Sequence, residues 1–377
     1  MIILFWSVLA LVVYTYIGFP LTLWLLSNIR GKIPLNEEAF YPTVTLVVSA
    51  YNEEVGIEEK LKNCISLEYP REKIQIIILS DGSTDNTNQI VKDHEGQNLK
   101  LVIFSEHRGK HQTIKDSLSM MGGEILIFTD ADVTLKKDAL VNIVKPFREK
   151  HVGAVGGNLE YRAVSSSFRY RNYYWMAEQY VRLRESDLGA MCFIPGPFWA
   201  LRKELFPLDV PLHAAIDAVI PMRVISAGYA VVMAENARAA TLSCSSVPSD
   251  ARTLVRTVNR GFQAILHNAQ LLNVFRYPII SFCLIWHKLM RWLTIFLLFI
   301  LLLSSLKLSG ISFYRYLFIG QIIFYLLALT GAVSAKARRI PVIQLPYYIC
   351  SNLLASFVGL WQSIFNKRIS RWQTNRR

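Results

Sequence analysis

The sequence predicts an α/β domain built on a doubly wound sheet and flanked by transmembrane helices. Three observations carry that expectation. Long apolar stretches occupy both ends of the chain. Between them, short β-rich apolar runs alternate with stretches of helical spacing. Three of these apolar runs also end in a cluster of polar residues, at the place where ligands bind in open α/β sheets.

Composition sets the frame. Of 377 residues, 52% are hydrophobic and 18% charged, which is too apolar for a plain soluble enzyme. The excess is local: residues 3–27 and those after about 278 are apolar, whereas 42–265 has the balance of a globular domain. The formal charge of +13 would suit nucleic acid, yet the cations form no stripe among aromatics. Arg30, Lys32, Lys336, Arg338, Arg339, Lys367, Arg368 and Arg371 instead flank the hydrophobic segments. That placement fits an anionic cytoplasmic leaflet and membrane lipids as partners, with no nucleic acid. Cys64, Cys192, Cys244, Cys283 and Cys350 have no metal-ligand spacing and read as scattered thiols in a reducing setting.

Taken in order, residues 1–28 form an N-terminal transmembrane helix. The stretch Ile2 to Leu26 carries no charge and is long enough for ~30 Å of hydrocarbon. It has no basic leader or small-residue cleavage site, and the cations after it place its carboxyl end in the cytoplasm. Residues 29–42, with Pro34, Glu37, Glu38 and Pro42, read as a linker. A globular α/β domain is expected over 43–265. Strands fall at 43–50, 74–80, 99–105 and 124–130, with helices at 54–67, 84–95 and 110–121 between them. Residues 266–377 return to the membrane, with spans at 279–303 and 313–334. A third apolar segment, 341–365, contains Pro346, Asn352 and Gln362, and a tail with Lys367, Arg368, Arg371, Arg376 and Arg377 comes after it. Keeping that basic tail inside requires the third segment to be re-entrant or to lie along the interface.

Three clusters carry chemistry. In Ser80-Asp81-Gly82-Ser83-Thr84-Asp85, a hydroxyl can cap the next helix and Asp85 can favour its dipole, while Asp81 can accept hydrogen bonds from a base or ribose. In Thr129-Asp130-Ala131-Asp132, two carboxylates crowd one strand end, and a hard divalent cation would relieve the repulsion and bridge to a diphosphate. The third is Asp217, an acid in an apolar run, which either opens a helix or acts as a general base on an acceptor hydroxyl.

Together with Val47-Val48-Ser49-Ala50-Tyr51-Asn52-Glu53-Glu54 and Arg108-Gly109-Lys110, these strings resemble the family 2 glycosyltransferases over roughly residues 43–265. The segment His287-Lys288-Leu289-Met290-Arg291-Trp292 is similar to the stretch after the catalytic domain in membrane-bound members. The resemblance implies a GT-A fold, an inverting displacement and a divalent metal, Mg or Mn. Carried over by position, Ala50, Tyr51, Glu53 and Asp81 line the nucleoside pocket and Lys110 lies near the diphosphate. Asp130 contacts the nucleotide and, with Asp132, the metal, and Asp217 is the base. Gly196-Pro197-Phe198-Trp199 matches the acceptor-side loop. Arg256 and Arg260 suit the diphosphate, although the 252–261 stretch lacks the tryptophan of the Gln-x-x-Arg-Trp signature found in processive synthases, and Ile216 replaces a second acid.

The expected function is transfer of a sugar from a nucleotide-sugar, with UDP as the expected carrier, to a lipid-linked or envelope glycan acceptor at the cytoplasmic membrane face. A bacterial inner membrane is the expected location. The alternatives are a processive synthase that extrudes its polymer and a catalytically silent nucleotide-binding scaffold.

Overall fold

Apolar runs of six to eight residues give the sheet its first half. β1 (Val44–Ala50), β2 (Ile74–Asp81), β3 (Leu99–Phe104) and β4 (Ile125–Asp130) pair in parallel in the order β3-β2-β1-β4. Continuous Val, Ile and Leu is what a strand covered on both faces requires. The helices Ile57–Ile65, Thr87–Lys92 and Lys110–Asp116 fill the crossovers where helical spacing is read from the sequence, each shorter than expected. The computed structural model describes residues 1–31, 33, 38–96, 98–162, 169–242 and 247–365. Lys32, Pro34, Glu37, Cys244, Lys367, Arg368, Arg371, Arg376 and Arg377 lie outside these residues.

The second half of the sheet departs from a purely parallel design. β5 (Val133–Leu135), β6 (Val152–Arg162), β7 (Phe198–Arg202) and β8 (Ala230–Leu242) complete the order β3-β2-β1-β4-β7-β6-β8-β5. β7 runs antiparallel to both β4 and β6, and β5 antiparallel to β8, while β6 and β8 are parallel. Two apolar cores result, one on each side of the sheet. One gathers Ile57, Leu61, Leu140 and Phe147. The other gathers Phe128, Trp199, Val219 and Met222, and Trp292 and Leu360 enter it from the C-terminal apolar helices.

Among the described residues, four helices are long and apolar enough to cross a membrane: Ile2–Arg30, Pro278–Lys307, Ser312–Val333 and Pro341–Ile364. The first two each contain a π-helical turn, Tyr14–Gly18 and Leu284–Leu289, and these turns meet where Tyr14 packs on Trp286 at 4.5 Å. The last helix runs unbroken through Pro346. Its far end lies on the amphipathic helix Val247–His267: Gln263 donates to the Ser363 hydroxyl at 2.8 Å, and a Cβ on Gly359 would stand 2.6 Å from the Val255 carbonyl oxygen.

Candidate active site

The register of the parallel strands puts Ala50 opposite Ser80 and Ser49 opposite Asp130, so three loops share one edge. The loops after β1 and β2 are stitched together. The Asn52, Glu53 and Glu54 amides donate to Ser83 Oγ, Thr87 Oγ1 and Asp85 Oδ2 at 3.1, 2.8 and 3.1 Å. In return Asn52 Oδ1 accepts the Thr84 amide and Glu54 Oε2 the Asn86 amide. Asn52 takes φ +52°, a left-handed conformation that asparagine tolerates better than most residues. Most polar groups of these two strings therefore hold each other. Asp85 accepts the Thr87 amide at 3.0 Å, the local helix-start role that its spacing suggests.

Asp81 is buried, 4% exposed, and its two oxygens accept the Arg108 and Gly109 amides at 2.7 and 2.8 Å. His107 Nδ1 stands 2.9 Å from Oδ2. In this conformation the carboxylate folds the 107–109 loop over the strand end. Gly82 is required there: at φ +73° its Cβ would fall 2.5 Å from the His107 nitrogen. The loop presents the His107 ring to Tyr51, stacked at 4.0 Å and 23° between planes. Ala50 is buried at the end of β1 and Glu53 is 6% exposed behind the loop, so both shape the edge from inside.

Lys110 opens the next helix and reaches across to the acidic loop. Its Nζ lies 2.5 Å from Asp130 Oδ1 and 3.5 Å from the Gly196 carbonyl. Asp132 follows at the turn between β4 and β5, half-buried. Among the described residues no three His, Cys, Asp or Glu side chains cluster as metal ligands. The donor chemistry still fits a hard divalent cation, because Mg or Mn sites of this kind take one or two carboxylates and draw further oxygens from the substrate's phosphates.

Lys60 lies behind this loop, and the sequence reading misses it. It is 3% exposed and donates to Thr129 Oγ1 at 3.1 Å and the Val133 carbonyl at 2.5 Å. Burial lowers its ammonium from the usual lysine range, while Cys64, Asp130 and Asp132 pull it back up. The signal was available: Lys60 occupies an apolar-stripe position, with Ile57, Leu61 and Cys64 at helical spacing around it.

The third cluster is built around Asp217, at the start of the helix Ile216–Ser226. A Cβ on Gly196 would stand 2.5 Å from Asp217 Oδ2, so only glycine lets this loop lie against the carboxylate. Ile194 donates its amide to the Asp217 carbonyl at 3.0 Å. Arg260 donates to the Ala214 carbonyl at 2.9 Å; burial lowers its guanidinium from the usual value and the Asp217 charge opposes this. Arg256 lies one turn earlier on the same helix. His111, a further group unremarked in the sequence, is 3% exposed, and burial with Arg260 and Lys115 nearby pushes it down to about 4. One expectation is corrected. Phe198 and Trp199 are each 0% exposed on β7, one in each core, with Trp199 stacked on Phe128 at 4.3 Å. Of the four residues expected to face an acceptor, Gly196 and Pro197 alone are partly open.

The edge just described coincides with a family match: residues 45–207 fit the model of glycosyl transferase family 2. Residues 45–207 are a family 2 glycosyltransferase domain. The poly-beta-1,6-N-acetyl-D-glucosamine synthase of Staphylococcus epidermidis is 32% identical over 139 residues, 36% of this chain and 33% of that one. Its Staphylococcus aureus (strain COL) counterpart is 34% identical over 125 residues, 33% of this chain and 30% of that one. The chain spans about a third of the length of the curated relatives it matches. Among solved structures, the mannosyltransferase PcManGT of Pyrobaculum calidifontis, in complex with GDP-Man and Mn2+, covers 97% of this chain and 99% of its own. At TM-score 0.68 and 22% identity it shows the GT-A fold of the glycosyltransferase domain.

Proposed function

We propose that the chain transfers a sugar from a nucleotide-sugar to a hydroxyl of a lipid-linked or envelope glycan acceptor at the cytoplasmic face of a membrane. The observation that carries this reading is the convergence on one domain face of Asp130 with Lys110, Asp132, and the Gly196–Asp217 contact, beside four apolar helices. The Tyr51–His107 stack at the sheet edge suits the flat face of a base. Lys110, between Asp130 and the Gly196 carbonyl, lies where a diphosphate would meet the sugar.

Asp217 takes the proton of the acceptor hydroxyl as its oxygen bonds to the anomeric carbon. The bond from that carbon to the diphosphate breaks, the electron pair leaves with the diphosphate, and a single displacement inverts the centre. Asp130 and Asp132 would hold a Mg or Mn ion, which when bound offsets charge on the leaving diphosphate. Lys110 adds a second cation on the same side, and fixing both substrates in line supplies much of the remaining acceleration.

A second reading, processive polymer synthesis, draws support from the relatives' being polysaccharide synthases. A ladder of products from purified protein and labelled donor would favour it over transfer of one or a few sugars. The transferase reading itself is tested with a panel of UDP- and GDP-linked sugars in detergent. Asp132→Ala and, separately, EDTA should abolish transfer while the protein stays folded. Undiminished turnover in EDTA would refute the metal role.

A further inference from the structure

A cavity of about 490 Å³ opens beside the loop that carries Gly196. Its walls are the helix Arg169–Asp187 and the strands β6 and β8, and Pro195 closes one end. Pro195 is one residue from Gly196, which lies against the Asp217 carboxylate, and Ile194 just before it is bonded to the Asp217 backbone. The cavity therefore borders the loop whose next residue lies against the proposed base.

The lining has a definite chemistry. Trp175, half-buried, offers an indole, and Pro195 a second apolar surface. Around them stand Asn158, Gln179, Glu160 and Arg238, the last two exposed. Gln179 donates to Asn158 Oδ1 at 2.5 Å, and Asn158 donates to the Glu235 carbonyl at 2.9 Å. Each amide has more donor and acceptor capacity than these bonds use. An aromatic body with planar amides, a carboxylate and a guanidinium converging on it matches a ligand with apolar C–H faces and a rim of hydroxyls. A saccharide has that character. A hydrocarbon tail would strand these polar groups.

We propose that this cavity holds the acceptor saccharide, with Trp175 under a sugar ring and Asn158, Gln179 and Arg238 on its hydroxyls, one or more units away from the hydroxyl that Asp217 deprotonates. The proposal rests on the transferase reading for the direction of transfer, but the binding it asserts is measurable alone. Full-length protein in detergent would be laid on an array of neutral α- and β-linked hexose and N-acetylhexosamine oligosaccharides, with UDP and GDP affinities measured in parallel. Phosphatidylglycerol vesicles form a second arm. Wild type should bind at least one neutral oligosaccharide. Trp175→Ala should weaken that binding at least tenfold and Arg238→Ala, at an exposed position where folding is undisturbed, several-fold. Nucleotide affinity should stay within twofold in both variants. Three outcomes overturn the proposal: no neutral glycan bound by wild type, binding to the anionic vesicles only, or variants that bind glycan as wild type does. Loss of nucleotide-sugar binding in wild type with glycan binding intact would sink the transferase reading instead and leave the cavity assignment standing.

Discussion

Asp217 stands with its carboxylate against Gly196 and near Arg260, whose burial makes an opposite charge valuable. A base acting on the acceptor should govern turnover more than donor binding. Asp217→Asn keeps the shape and removes the basicity, so turnover should fall by about 10²–10⁴ with nucleotide affinity unchanged. Wild-type turnover in that variant would move the base role to another acid. His111 bears on stability, not chemistry. It titrates near 4 in the folded protein, whereas an unfolded chain takes up the proton near ~6.5. Below that value the unfolded state binds more protons, so stability is lost as pH falls from about 6.5 towards 4. Between neutral pH and pH ~5 the loss from this one group is about 2 kcal/mol. Thermal unfolding in detergent should show the acid decline, and His111→Gln should flatten it. A variant with the same decline as wild type would show that other groups set it.

At the level of elements, the helix Arg169–Asp187 is bound to the apolar helix Pro278–Lys307 by buried charge. Glu178, 3% exposed, meets His287 Nε2 at 3.0 Å, Lys288 at 2.9 Å and Arg291 at 2.6 Å, with Arg182 at 3.3 Å on its own helix. Glu185 takes the other His287 nitrogen at 2.7 Å. Burial alone would raise the Glu178 carboxyl, but the cations beside it outweigh burial and hold it well below the usual range. The π-helical turn Leu284–Leu289 carries His287 and Lys288 to this point, consistent with the tendency of such turns to mark functional joints. Removing the anion would leave several buried cations uncompensated. Glu178→Ala should therefore cost about 3–5 kcal/mol, visible as a lower Tm in detergent. An unchanged Tm would mean that the cluster is solvated and does not tie the helix to the domain.

Across the whole molecule, the helix Pro341–Ile364 decides which side the C-terminus occupies. Near its start Arg338 lies 5.0 Å over the Tyr347 ring, and near its end Ser363 accepts from Gln263 on the catalytic domain's amphipathic helix. Ser363 also donates to the Asn259 carbonyl at 3.1 Å. The contact of its far end with that amphipathic helix is what a helix laid along the membrane interface would make. Its length and apolarity would equally suit a span. Single cysteines at positions 336 and 375, in a cysteine-free background, report the difference with an impermeant maleimide on intact cells. Neither should react until lysis. Labelling of 375 but not 336 would establish that Pro341–Ile364 crosses the membrane.

The sequence by itself determined the order and type of elements through β4, the four apolar helices, and which strand ends carry acid. Those features depend on local periodicity and composition, and Ile76 to Ile78 or Asp130 and Asp132 state them directly. Tertiary structure decided what each polar group does. Asp81 is spent on two loop amides and Lys60 is drawn under the acidic loop. Phe198 and Trp199 are turned into the two cores because β7 inserts between β4 and β6, in a sheet covered on both faces. The union of Glu178 with His287, Lys288 and Arg291 joins residues more than a hundred positions apart. No periodicity records such a pairing, since a charge becomes a buried partner only when another element covers it and removes the water.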